Sequence, residues 1–204
     1  MTGVQTCALP ISAIAAYKQA LDTTPPDSPN RPSILTNLGR GLHARYDRSG
    51  RLEELDAAIA AYEQALDTTP PDSPARPSIL TNLGGGLRDR YARSGRLDDL
   101  DAAIAAWQQA LDTTPPGSPD RPGYLTNLGG GLHARYARSG RLDDLDAAIV
   151  AWQQALDTTP PDSPDRPSIL NNLGGGLHAR YDRSGRLEDL DAAIAAYEIG
   201  RAHV

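Results

Sequence analysis

The sequence predicts an all-α protein, a stacked array of helix pairs. Three observations carry this. One phrase, RPSILTNLGRGLHARYDRSGRL, starts at Arg31 and returns with few changes at Arg76, Arg121 and Arg166. Gly50, Gly95, Gly140 and Gly185 keep the same 45-residue step, as do Tyr17, Tyr62, Trp107, Trp152 and Tyr197. A period in this range marks an array whose units bury their apolar faces against their neighbours. Within each unit the apolar residues recur at helical spacing, and no stretch alternates like a strand.

Each unit reads as two helices. The first begins near an SPxRP segment, Ser118-Pro119-Asp120-Arg121-Pro122 in the third copy. Ser is expected to cap it, and Pro is tolerated in a first turn, where N–H groups have no helical partner. In the second copy its apolar positions are Leu80, Leu83, Leu87 and Tyr91, and Gly95 ends it, because Gly accepts a left-handed C′ conformation. The second helix opens with Asp98-Asp99-Leu100-Asp101. An Asp cap and a first turn rich in acids both suit the positive end of the helix dipole. Its expected stripe is Leu97, Leu100, Ile104, Trp107 and Leu111, with Ala103 and Ala110 beside it. Thr113-Thr114-Pro115-Pro116 then stops the helix, since Pro lacks the N–H and clashes with the preceding turn. The expected order is a leading second-type helix over residues 13–23, three full pairs, and a last pair truncated near Tyr197.

Three glycine triplets, Gly84 to Gly86, Gly129 to Gly131 and Gly174 to Gly176, fall in mid-helix, where each glycine costs about 1 kcal/mol relative to Ala. A phosphate-binding loop would need a preceding strand and a following Lys with Ser or Thr, and neither is present. Close approach of a neighbouring helix is the expected reason. The middle glycine is expected on an open face, because the first copy carries Arg40 there.

The 204 residues carry a net charge of −6, which argues against a general nucleic-acid or anionic-membrane binder. No apolar run approaches the roughly 18–20 residues of a membrane span. One cysteine, Cys7, excludes a disulfide framework within the chain. These points lead to the expectation of a cytoplasmic protein. The two ends stand apart from the repeat. Residues 1–12, MTGVQTCALPIS, and the last residues, Ile199 to Val204, match nothing in it. One double-stranded oligonucleotide could encode EIGRAHV on one strand and TCALPI on the other, so both ends resemble translated sequencing adapter. The expected division is a non-native leader over 1–12, the array over 13–197, and a non-native tail over 198–204 of a piece of a longer gene.

Leu83-Gly84, Leu87, Ala103, Trp107, Ala110 and Pro115 follow one another in the order of the tetratricopeptide signature: a Leu-Gly pair, then small, aromatic and small residues, then a closing Pro. The sequence therefore resembles a tetratricopeptide-repeat array over about residues 13–197. Its unit is longer than the family's usual length of about 34, with about seven residues added in the RYARSGRL turn and about four in the SPDRP joint. The long unit is similar to kinesin-light-chain-like arrays, which occur beside CHAT-type protease domains and in bacterial signalling proteins. The resemblance implies a right-handed α-solenoid of antiparallel helix pairs with a concave groove lined mainly by the first helix of each pair.

Carried onto this sequence, the groove positions include Thr36, Asn37 and His43; Thr81, Asn82 and Arg88; Thr126, Asn127 and His133; and Asn172 and His178. In related arrays the Asn before Leu-Gly forms a ladder that binds a peptide backbone. An amide suits this role, because it can accept from an N–H and donate to a C=O. The alternative is that each Asn bonds to a neighbouring helix. The histidines recur one per unit, whereas a zinc site needs three or four ligands at one point, so no metal or cofactor is expected. Arg90, Tyr91, Arg93 and Arg96 lie beside the acids that open the next helix, which predicts local charge pairing in place of nucleic-acid binding. A repeated unit places the same groups at every step, whereas catalysis needs different groups that converge, so no catalytic residue and no enzyme is expected. The expected function is a scaffold that binds an extended protein or peptide segment. The alternative is the sensor array of a CHAT-type protease or signalling ATPase. Self-association through uncapped ends is expected as well.

Overall fold

The computed structural model describes residues 5–202, with side chains over residues 13–201. Residues 1–4 and 203–204 of the expected non-native ends, and the side chains through Ser12, including Cys7, lie outside the described residues.

Among the described residues there are nine helices and no strand. They are α1 (Gln5–Thr23), α2 (Arg31–Ser49), α3 (Leu52–Asp67), α4 (Arg76–Ser94), α5 (Leu97–Asp112), α6 (Arg121–Ser139), α7 (Leu142–Thr158), α8 (Arg166–Ser184) and α9 (Leu187–Ala202). The leading helix starts earlier than the repeat pattern suggests, and the last runs past Tyr197. The chain divides into two compact units, Met1–Thr113 and Thr114–Val204. In the first, α2 packs on α3 and α4 on α5, while α1 lies against α2, α3 against α4, and α2 touches α4. In the second, α6 packs on α7 and α8 on α9, with α7 against α8 and α6 touching α8. No described helix is long and apolar enough to cross a membrane.

The aromatic of each second helix sits over the first triplet glycine of the preceding helix. A Cβ placed on Gly84 would stand 2.5 Å from Trp107 Nε1, and one on Gly39 would stand 2.5 Å from the Tyr62 ring. Gly129 meets Trp152 and Gly174 meets Tyr197 in the same way. Trp107 is completely buried, and its indole N–H donates to the Thr81 carbonyl at 3.3 Å. Trp152 donates to the Thr126 carbonyl at 3.2 Å. The third glycine faces the preceding helix pair: a Cβ on Gly86 would lie 3.0 Å from Ile59. The middle position is looser: a Cβ on Gly130 would meet nothing within 4 Å, and those on Gly85 and Gly175 only His43 at 3.9 Å and the Tyr197 hydroxyl at 3.7 Å, ordinary contact.

Helix ends depart from the sequence reading in three respects. Ser28, Ser73, Ser118 and Ser163 do not cap the first helices; each hydroxyl accepts from the N–H two residues on, ordering the turn ahead of the helix. The N-cap positions Asn30, Ala75, Asp120 and Asp165 are in the αR region, where the side chain is not presented to the helix N–H groups. Nor does an Asp cap the second helices. Their caps are Arg51, Arg96 and Arg141, without a side-chain bond, and the acids fall inside the first turn. Finally, Leu97 is 42% exposed, so the buried stripe starts at Leu100 and gains Ala106. The expected left-handed glycine stop is present, with φ of 70° at Gly95 and 73° at Gly140.

Two arginine contacts hold the pairs in register. Arg90 Nη2 and Nε donate to Asp99 at 2.7 and 3.1 Å, and its Nη1 reaches Asp56 of α3 at 3.0 Å. Asp99 is buried, so the pair ties α4 to α5 and then to the pair before it. Arg135 to Asp144 and Arg180 to Asp189 repeat the bidentate contact, and Arg45 lies 2.9 Å from Glu54. The local charge pairing expected of the RYxxSGR stripe is thus realised. The arginine of SPxRP has a separate task. Arg76 Nη1 donates to the carbonyls of Leu66 and Thr69 at 3.0 and 2.9 Å, closing the C-terminal end of α3. Arg31 and Arg166 act alike on α1 and α7. A cation at this end also suits the helix dipole.

Candidate functional site

In the first unit two cavities meet at Asn37. One, of about 540 Å³, is lined by Tyr17 of α1, Asn37, Arg40, His43 and Asp47 of α2, Tyr62 of α3 and Asn82 of α4. The other, of about 650 Å³, lies between two proline turns. Its walls are Pro26, Pro29, Pro32, Thr36 and Asn37 on one side and Thr69, Pro70, Ser78 and Ile79 on the other. The helical register explains the arrangement. Asn37 and Arg40 are three residues apart and share a face, while the Gly39 between them is turned to Tyr62.

The four ladder asparagines, Asn37, Asn82, Asn127 and Asn172, are each half-buried. No side-chain hydrogen bond joins any of their amides to another described residue. An amide offers two donors and an acceptor. The threonines beside them are partly committed. Thr36, Thr81 and Thr126 donate to the carbonyls of Pro32, Pro77 and Pro122 at 2.8, 2.8 and 2.7 Å. Each hydroxyl therefore retains only acceptor capacity.

The histidine position is the same in sequence and different in surroundings. His43 Nε2 lies 2.7 Å from Asp89 Oδ2. Burial alone would push the Asp89 carboxyl up, but hydrogen bonds from His43 and Arg88 outweigh it and hold the group below its ordinary value. Arg88 is half exposed and turns to its own neighbour Asp89, with Nη2 to Oδ1 at 2.8 Å. His133 packs on Trp152 at 5.6 Å between ring centres, and burial pushes its pKa below the usual 6.5. His178 is exposed, stacks on Tyr181, and stands 3.9 Å from Asp182. One repeat position thus has three unlike environments. Burial also raises the phenol of Tyr62, which keeps it neutral at the cavity wall.

The structure brings Asn37, His43 and Asn82 to one cavity and leaves Arg88 outside its lining. Counting histidines one per unit missed a further juxtaposition. Donor atoms of His43, Asp47 and Asp89 all lie within 4.8 Å of one another. The signal was present as a departure from the repeat: Asp89 stands where the other copies have Ala44, Ala134 and Ala179.

Neither a protein-family profile nor a curated protein matches this sequence. Solved structures do match its fold. BtubC (BKLC) from P. vanneervenii is 22% identical over 97% of this chain and 75% of its own, with a TM-score of 0.71. A kinesin light chain from Podosopora anserina with nearly identical TPR-like repeats is 17% identical over 94% of this chain and 89% of its own, at 0.64. YrrB, described as a TPR protein with an unusual peptide-binding site, is 16% identical over 98% of this chain and 85% of its own, at 0.61. The fold is therefore that of a tetratricopeptide-repeat array, an α-solenoid of helix pairs.

Proposed function

We propose that this chain is a protein-interaction scaffold that holds an extended peptide segment along the first helices of its pairs. The observation that carries the reading is the set of half-buried asparagine amides with no protein partner, two of which, Asn37 and Asn82, line one cavity. Amides repeated at each step can pair with successive peptide units of a bound backbone, which favours an extended ligand over a helical one. The apolar walls given by Tyr17 and Tyr62, and by the proline turns, suit the side chains of such a segment. The peptide-binding site named for YrrB supports the same use of this fold. Where such an array sits beside a CHAT-type protease or signalling-ATPase domain, the same groove would be its sensor surface.

A displayed library of random peptides selected against the chain supplies a ligand for the test. Asn37→Ala with Asn82→Ala should leave the helical circular-dichroism signal unchanged, because neither amide supports the fold. The double variant should weaken the selected peptide about tenfold or more, since each amide would lose hydrogen bonds worth about 1 kcal/mol apiece. Unchanged affinity for every selected peptide would reject the ladder.

A further inference from the structure

We propose that His43 Nε2, Asp47 and Asp89 Oδ2 form a binding site for one zinc ion at the edge of the first unit's cavity. The three groups come from two helices that touch: His43 and Asp47 are one turn apart on α2, and Asp89 projects from α4. Two donors bound to one zinc at roughly 2.1 Å and near the tetrahedral angle stand about 3.4 Å apart. The present separations, 2.7 Å for His43 to Asp89 and at most 4.8 Å within the set, bracket that value. Side-chain rotations of a fraction of an ångström to about 1 Å would seat the ion without moving either helix. Water would complete the coordination from the cavity side, where His43 and Asp47 are both exposed to it.

The donor chemistry selects the metal. An imidazole nitrogen with two carboxylates suits zinc, whereas magnesium and calcium prefer an all-oxygen set. The two carboxylates neutralise the ion, and Arg88 occupies the other Asp89 oxygen, Oδ1, at 2.8 Å. That contact holds the Asp89 carboxylate in place, as a supporting hydrogen bond does around many metal ligands.

The composition of the repeats argues for a site rather than a general property of the face. His and Asp at this i, i+4 spacing occur in copies one and four, as His43 with Asp47 and His178 with Asp182. The first pair is followed by a first helix that carries an acid, Asp89, at the position where the other three copies carry Ala. The simpler alternative is an ion pair between His43 and Asp89 that never takes a metal, and the experiment separates the two.

Zinc chloride titrated into the metal-free full chain by calorimetry should show one site. Asp89→Ala installs the residue of the other three copies and Asp47→Ala that of the two middle copies, so both variants should fold. Each should weaken zinc at least as much as the about 10–100-fold that losing a supporting residue costs. His178→Gln should bind as the parent does. In cobalt-loaded protein the visible absorption should vanish with His43→Gln. Absence of zinc binding by the parent, or binding undiminished in Asp89→Ala, would overturn the assignment.

Discussion

A methyl group added at Gly84 would stand 2.5 Å from the Trp107 indole nitrogen, nearer than packed carbon atoms approach. The indole cannot retreat, because it is fully buried and its N–H is held by the Thr81 carbonyl. Gly84→Ala is therefore expected to destabilise the first unit by about 1–3 kcal/mol, the usual cost of overpacking, despite the better helix propensity of Ala. Gly130→Ala meets nothing within 4 Å and should stabilise by up to about 1 kcal/mol. Urea midpoints of the two variants should move in opposite directions. This contrast was legible in the sequence. Glycines in mid-helix needed a reason, and Arg40 in the first copy showed which of the three had none. The unlike surroundings of His43, His133 and His178 were not legible, since they depend on residues one repeat away that break the pattern.

At the scale of the helix, the same residue type serves the fold in two ways. Arg90 pairs with the buried Asp99, and Arg76 closes the end of the preceding helix. Asp99→Ala would leave the guanidinium with only the exposed Asp56 and should cost on the order of 2 kcal/mol, read as a lower urea midpoint. Asp98→Ala, at the exposed neighbour in the same turn, should cost far less. The sequence showed that acids and arginines would meet, but it misplaced the acids as helix caps. The reason is energetic. A bidentate, charge-assisted contact to Arg90 is stronger than a single bond to a helix N–H, so Asp99 is drawn inside the first turn. Arg76 escaped notice because its acceptors are backbone carbonyls, which carry no side-chain signature. Leu97 looked apolar enough for the buried stripe, yet it precedes the first full turn and stays exposed at 42%.

At the scale of the whole molecule, stability should depend on pH through the one histidine among the described residues that burial pushes down. The unfolded His133 takes up a proton near its ordinary 6.5, and the folded side chain resists until lower pH. The stability its neutral form provides is complete above 6.5 and is lost as pH falls from there toward the folded value. The urea midpoint should drop as pH falls below 6.5, and His133→Gln should make that drop smaller. The fold as a whole was readable from periodicity alone, since each unit must bury its stripe on the next. The candidate site was readable only where it follows the period, as the asparagines do. His43, Asp47 and Asp89 converge through two departures from the period, and convergence is a property of three dimensions.

The open middle glycine has a consequence for how such a chain can acquire new partners. Arg40 shows that this position reaches the cavity, and Gly130 shows that it touches no neighbour. Under the proposed function, a change there would alter what the surface recognises while the aromatic lock beneath it is undisturbed. Three copies thus carry glycine where the first carries Arg40, a variable letter in an otherwise fixed word, and under the proposed function specificity could be rewritten, by selection or by a protein engineer, one repeat at a time.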